Sequence, residues 1–150
     1  MSSSVKAVRR SSSASAACGS DNAAYVAARD DWDALWMARL NGDTWTGWHY
    51  GGGRAGSDPQ LAAGAAGTLY AVLRDPWGGV WRRGFLEGAG NNWQGWSYVG
   101  GVLQDFAAAS MPGELYLAGR TKDNQLYWWR QSGSQWTWLG HTGVAAGPLS

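Results

Sequence analysis

The sequence predicts an all-β chain, and three observations predict it. Glycine and tryptophan are abundant, at 23 and 12 of 150 residues, while phenylalanine occurs twice; such a mixture at short intervals marks many short strands joined by tight turns. An aromatic phrase is written as "DTWTGWHYGGG" at Asp43–Gly53, again as "NNWQGWSYVGG" at Asn91–Gly101, and nearly a third time as "QWTWLGHTG" at Gln135–Gly143. The segments Ala23–Arg39, Thr68–Arg83 and Glu114–Arg130 superimpose without gaps at offsets of 45 and 46 residues. Tyr25, Tyr70 and Tyr116 then coincide, as do Arg29, Arg74 and Arg120, and the aromatics Trp36, Trp81 and Tyr127.

Each unit reads as four strands. A small-residue strand comes first: "ASAAC" at Ala14–Cys18, "LAAGA" at Leu61–Ala65 and "FAAAS" at Phe106–Ser110. The Tyr-x-x-x-Arg strand follows, then a turn, then the strand carrying Trp36, Trp81 or Tyr127. The turns "DPWGG" at Asp75–Gly79 and "KDNQ" at Lys122–Gln125 hold the Pro, Gly, Asp and Asn that hairpins favour. The double-tryptophan strand closes the unit. Trp45/Trp48 and Trp93/Trp96 are three apart, which places them on opposite faces of a regular strand. A bulge at Gly47 and Gly95 would return each pair to one face. Trp136 and Trp138 are two apart and need none.

Four-stranded units of about 45 residues predict β-propeller blades. The central strands should be apolar on both faces, as "LYAVL" and "ELYLAG" are. The Ala-rich strand suits the crowded axis, and tryptophan suits the widening outer wedge. The blades divide at about 14–53, 54–101 and 102–150, after a Ser-rich start over 1–13 that reads as a disordered tail and lacks the apolar core of a secretory signal. Propellers close with typically 4–8 blades, and six is the multiple of three in that range. A homodimer closing a six-bladed ring is therefore expected, with excision from a longer propeller as the alternative.

Composition excludes several functions. A formal net charge of +1 supplies no basic field for nucleic acid, and no run approaches the roughly 18 apolar residues of a membrane span. Cys18 is single, so no internal disulfide or Cys-based zinc site arises. His49 and His141 do not recur and have no paired carboxylate, and no recurring acid cluster offers metal ligands or an acid/base pair. Neither catalysis, cofactor nor metal is expected.

Binding residues are sought among aromatics and polar groups that recur. Within each pair of Trp45/Trp48, Trp93/Trp96 and Trp136/Trp138, one ring packs between blades and the other is free for a ligand; Trp48, Trp96 and Trp138 are the candidates, with Trp36, Trp81 and Tyr127 beside them. Trp32 and Trp77 sit in the hairpin turns, where exposure is the rule, and the third unit has Asp123 there. An exposed ring is suited to the apolar C–H face of a neutral, hydroxylated ligand. Arg29, Arg74 and Arg120 either cap the blade edge or donate to ligand hydroxyls. Asp58 and Asp105 are weaker candidates as hydroxyl acceptors.

The units "GTLYAVLRDPWGGVWRR…NWQGWSYVGG" and "GELYLAGRTKDNQLYWWR…QWTWLGH" resemble the repeats of the bacterial β-propeller lectins called PLL-like, and the resemblance covers about residues 14–143. It implies a propeller with sugar sites between adjacent blades, selective for fucose and some methylated sugars. Members of that family are usually seven-bladed from one chain, whereas this chain has three units. Trp32 and Trp77 also stand where the family generally has Asp or Gly. The competing expectation is a structural or protein-interaction scaffold in which every tryptophan is buried.

Overall fold

The computed structural model describes residues 14–64, 67–111, 114–132 and 135–144, with side chains described through Gln131 and at Thr137. The expected tail over residues 1–13 lies outside the described residues. Twelve strands form three separate four-stranded antiparallel sheets. The first blade contains β1 (Ser15–Cys18), β2 (Ala24–Arg29), β3 (Leu35–Asn41) and β4 (Thr44–Gly52). The second contains β5 (Gln60–Ala63), β6 (Thr68–Arg74), β7 (Val80–Leu86) and β8 (Trp93–Gly100). The third contains β9 (Asp105–Met111), β10 (Glu114–Arg120), β11 (Gln125–Ser132) and β12 (Gln135–Val144). In each sheet the strands lie side by side in chain order, so the repeats are propeller blades.

The Ala-rich strands meet one another, β5 touching β1 on one side and β9 on the other. Small side chains allow that approach, and polar groups tie it. Ser15 Oγ accepts from the Leu61 N–H at 2.9 Å, and the Gln60 amide donates to the Phe106 carbonyl and accepts from Ala108 N–H at 2.7 and 2.8 Å.

Both faces of the middle blade are covered. Tyr25, Leu35 and Met37 of the first blade pack on Leu69, Leu73 and Phe85 of the second. On the opposite face, Val72 and Val80 meet Phe106, Leu115 and Leu117 of the third, with Leu103 of the connecting loop between them. The outer strand carries the large rings. Phe85 takes Trp93 edge-on at 5.0 Å and Tyr25 edge-on at 6.1 Å. A Cβ at Gly51 would lie 2.8 Å from the Trp93 ring, and one at Gly53 would lie 2.6 Å from Trp96. Two glycines of the first blade thus make room for two tryptophans of the second.

That shared facing depends on bulges. Phe85 pairs with Trp93 and Arg83 with Trp96, so three positions of β8 oppose two of β7. Leu40 pairs with Trp45 and Ala38 with Trp48 in the same way. In the third blade Gln131 pairs with Trp136 and Trp129 with Trp138, with no shift between them. The expected difference between the repeats is present in the register.

At the end of the first interface formed by the β1–β2 and β7–β8 turns, a polar cluster replaces the rings. Tyr25 Oη donates to Asp21 and accepts from Gly88 N–H, at 2.7 and 2.8 Å, and Arg39 pairs with Asp21 at 3.0 Å. Glu87 accepts from the Ser20 N–H, the Ser20 hydroxyl and the Asp21 N–H. Burial works to raise the Asp21 pKa, but the hydrogen bonds from Tyr25, Ala23 and Arg39 outweigh it and hold the carboxyl below its ordinary range.

Phe85 links both sheets of the first interface, so Phe85→Ala should destabilise the fold by about 3–5 kcal/mol through lost transfer energy and a cavity. Urea unfolding followed by tryptophan fluorescence measures the change.

Candidate functional site

The site is built on the turn between the second and third strands of a blade. In the first blade Asp30 Oδ1 accepts from the N–H groups of Trp32 and Ala34, at 2.8 and 2.9 Å, and Oδ2 accepts from Trp36 Nε1 at 2.6 Å. In the second, Asp75 Oδ1 accepts from Trp77 and Gly79 N–H, both at 2.9 Å, and Oδ2 from Trp81 Nε1 at 2.9 Å. One carboxylate therefore shapes the turn and fixes the indole six residues on. The turn's fourth residue takes a left-handed conformation, Asp33 at φ 65° and Gly78 at φ 95°. Its carbonyl receives the loop leaving the blade, through Ala55 N–H and Leu103 N–H, each at 2.9 Å.

Held in this way, the turn projects its third residue outward. Trp32 and Trp77 are 73% and 69% exposed. Trp36 and Trp81 lie inward, and Tyr50 and Tyr98 meet them edge-on at 5.1 and 5.0 Å.

A pocket of about 310 Å³ opens between the first two blades. Gly53 and Arg54, on the loop leaving the first blade, form one wall. Leu73, Asp75, Trp77, Trp81 and Trp96 of the second blade form the rest. Three of the seven lining residues are indoles. Asp75 Oδ2 accepts from the Trp81 N–H, and Oδ1 accepts from the turn. Arg54 reaches over Trp77, its guanidinium carbon 5.5 Å from the ring centroid. The volume is at the lower end of the roughly 300–1,000 Å³ range of small-molecule pockets, a size for one ring rather than an extended ligand.

Of the residues chosen from sequence, the structure brings Trp77, Trp81 and Trp96 together. Trp93 does not line the pocket: it stands on Phe85, and Arg83 is near both Trp93 and Trp96, at 5.3 and 5.4 Å from their centroids. Arg83 also donates to the carbonyls of Gln94 and Gly51, and burial lowers its pKa. Trp32, Trp36 and Trp48 are the counterparts on the first blade's outer face. Tyr127 packs beside Trp129, with ring centroids 6.3 Å apart. The Trp138 and His141 side chains lie outside the described residues. His49 stacks near Phe85 at 6.1 Å and contacts the Ala89 carbonyl through Nε2 at 3.0 Å.

The three recurring arginines are engaged elsewhere. Arg29 pairs with Asp58 at 2.9 Å and Arg120 with Asp105 at 2.7 Å. Arg74 donates to the carbonyls of Leu103 and Gly56 at 3.3 and 3.2 Å. They brace the connecting loops and are not among the pocket's lining residues, and the two aspartates are their partners.

Sequence reasoning passed over Asp75, Asp30 and Arg54. A signal existed for the aspartates: each stands six residues before a recurring tryptophan, and the third repeat changes both together, to Thr121 and Tyr127. Thr121 keeps the turn by accepting from Gln125 N–H at 3.2 Å, but no indole remains to be held. Arg54 gave no signal because Val102 occupies its place after the next glycine pair.

No family model matches the chain, nor does any curated protein. Solved structures share its fold. A variant of NanB sialidase from Streptococcus pneumoniae matches with TM-score 0.64 and 18% identity over 85% of this chain and 22% of its own. A triple-arginine variant of AofleA from Arthrobotrys oligospora gives TM-score 0.62 and 14% identity over 95% of this chain and 46% of its own. The Aleuria aurantia lectin, described as a fungal lectin with a six-bladed β-propeller fold and a novel fucose recognition mode, gives TM-score 0.58 and 15% identity over 89% and 47%. The chain therefore spans about half the length of the last two and about a fifth of the sialidase. At these identities the likeness establishes the fold: this chain is three blades of a β-propeller.

Asp75→Asn keeps an acceptor for the turn but aims an amide N–H at the Trp81 N–H. Leaving that donor unpaired should cost about 1–3 kcal/mol. Trp77→Ala, on an exposed ring, should stay within about 0.5 kcal/mol of the parent. Chemical denaturation of both variants checks the contrast.

Proposed function

We propose that the chain is a non-catalytic carbohydrate-binding propeller, a lectin whose pocket between the first two blades holds one sugar ring of the fucose or methylated type. The observation that carries this reading is Trp77, an exposed ring standing over an indole-lined pocket and held there by a saturated Asp75. A sugar ring has an apolar C–H face and a hydroxyl rim, and an aromatic platform buries the first while leaving the second wet. The fold shared with a six-bladed lectin that has a fucose recognition mode supports the choice of ligand. Most glycoside hydrolases place two carboxyl groups across the scissile bond, whereas this pocket's lining carboxylate is Asp75, already bonded to three N–H donors. Among the described residues no group of three or more His, Cys, Asp and Glu gathers to hold a metal.

The proposal extends to assembly. Each copy supplies three blades, about residues 14–53, 54–101 and 102–150, and two copies close a six-bladed ring. Trp45 and Trp48 on the first blade correspond to Trp93 and Trp96, which pack against a preceding blade, and Trp45 is 47% exposed. The third blade of a second copy would cover them. Equivalent weak sites around the ring would then act together.

A glycan array probed with labelled protein, with and without free L-fucose and a chelator, tests the function. Chelator-resistant binding competed by fucose is expected, and Trp77→Ala should lose at least tenfold in affinity while keeping its unfolding midpoint. A folded protein that binds no glycan would leave the protein-interaction scaffold. Sedimentation equilibrium should give twice the 16.1 kDa of one chain; a single-chain mass would rule out the ring.

A further inference from the structure

Arg54 differs from the other arginines in the described residues. Arg29, Arg39, Arg120 and Arg130 pair with carboxylates, Arg74 and Arg83 donate to carbonyls, and Arg82 lies over Tyr70 at 4.5 Å with a desolvated guanidinium. Arg54 is exposed and has no hydrogen bond or ion pair among the described residues; its neighbour is the Trp77 ring. The pocket's other charge, Asp75, accepts two N–H bonds from the turn and one from the Trp81 indole. The pocket mouth therefore offers an apolar platform and, over it, one cation with no ion pair among the described residues.

The repeats separate structural residues from this one. Gly53 recurs as Gly101 and Asp30 as Asp75, because each is needed to seat a loop or an indole. At the second interface, by contrast, Val102 follows the glycine and Asp123 stands at the turn position of Trp77. Both are exposed there. The equivalent place has lost the guanidinium and the ring together, and the turn there carries Lys122 and Asp123 side by side. A guanidinium needed to hold a loop, like those of Arg29, Arg74 and Arg120, pairs with a carboxylate or carbonyl; among the described residues Arg54 touches the Trp77 ring instead and has no counterpart at the next interface.

We infer that the pocket between the first two blades selects a sugar carrying a carboxylate, of the uronic or sialic acid class, with Arg54 receiving the carboxylate while the ring lies on Trp77. This rests on the carbohydrate-binding reading and sets an acidic sugar above the fucose or methylated type as the preferred ligand of that same pocket. The planar guanidinium presents paired N–H donors that match a carboxylate bidentately, and such charge-assisted bonds are roughly twice as strong as neutral ones. Stacking over Trp77 pre-orients the fork. A neutral sugar would share the platform without gaining the ion pair. The second interface offers the same ligand neither the guanidinium nor the ring.

The test is an array printed with uronate- or sialate-terminated glycans, each beside a neutral partner lacking only the carboxylate, probed at two salt concentrations. The parent protein should prefer the acidic member by about tenfold, less at high salt. Arg54→Gln should remove the preference, Arg54→Lys should retain part of it, and Trp77→Ala should weaken both members. Equal binding of acidic and neutral partners, or a preference that survives Arg54→Gln, overturns the inference and leaves the lectin reading intact. No binding of either member by protein shown to be folded overturns both.

Discussion

Sheets arranged around an axis cannot be equally spaced from inside to outside, and the rest of this structure follows from that constraint. Neighbouring blades nearly touch at their innermost strands and diverge outward. The sequence meets this with a gradient of side-chain size. Alanines line β1, β5 and β9, aliphatic residues fill the middle strands, and paired tryptophans occupy the outermost strand. The glycines at Gly51 and Gly53 belong to the same gradient, since a methyl group at either would strike an indole ring of the next blade. Burial of such rings supplies much of the interface energy. Because each blade is a separate sheet with no strand shared between blades, these faces, rather than backbone ladders, hold blade to blade.

The wedge also generates the site. Where the indole pair does not fill the widening gap, a pocket is left, and its mouth falls beside the hairpin turn of the second blade. The turn would be an ordinary exposed loop without Asp75. By binding two main-chain N–H groups and the Trp81 indole, that carboxylate makes turn and strand one unit and leaves Trp77 no inward role. Three charge-assisted bonds on one carboxylate give a rigid mount, and a rigid mount is what a platform needs if binding is not to be offset by ordering.

Much of this was legible in the sequence because repetition reports geometry. The 45-residue recurrence gave blades, the Ala-rich segments gave the inner strands, and the three-residue spacing of Trp45/Trp48 and Trp93/Trp96 gave the bulges that the register contains. Arg29, Arg74 and Arg120 show where repetition misleads. They recur because every blade must brace its connecting loop, so recurrence alone could not separate a brace from a ligand donor. Asp30 and Asp75 were readable only as a pair with the indoles they hold, since an aspartate in a turn is otherwise expected for its local bonding. Arg54 was not legible, because the Trp77 ring it reaches lies 23 positions along the chain and no periodicity links the two.

Recurrence and exception therefore carry different information in a repeat protein. A residue present in each unit answers a demand that each unit makes: covering a face, closing a turn, anchoring a loop. Tyr25, Tyr70 and Tyr116 are of this kind. A residue that appears once, without a structural partner, answers a demand made at one interface. The first two blades place Arg54 over Trp77, and the next interface places Val102 and Asp123 at the same positions, with the loop held by equivalent hydrogen bonds from Ala55 and Leu103. The scaffold is kept between the two interfaces, while the guanidinium and the exposed ring are present at the first and replaced at the second. Folding tolerates both versions, so the difference between them is free to serve binding, and it is at this pair of positions that the blades can be specialised one by one.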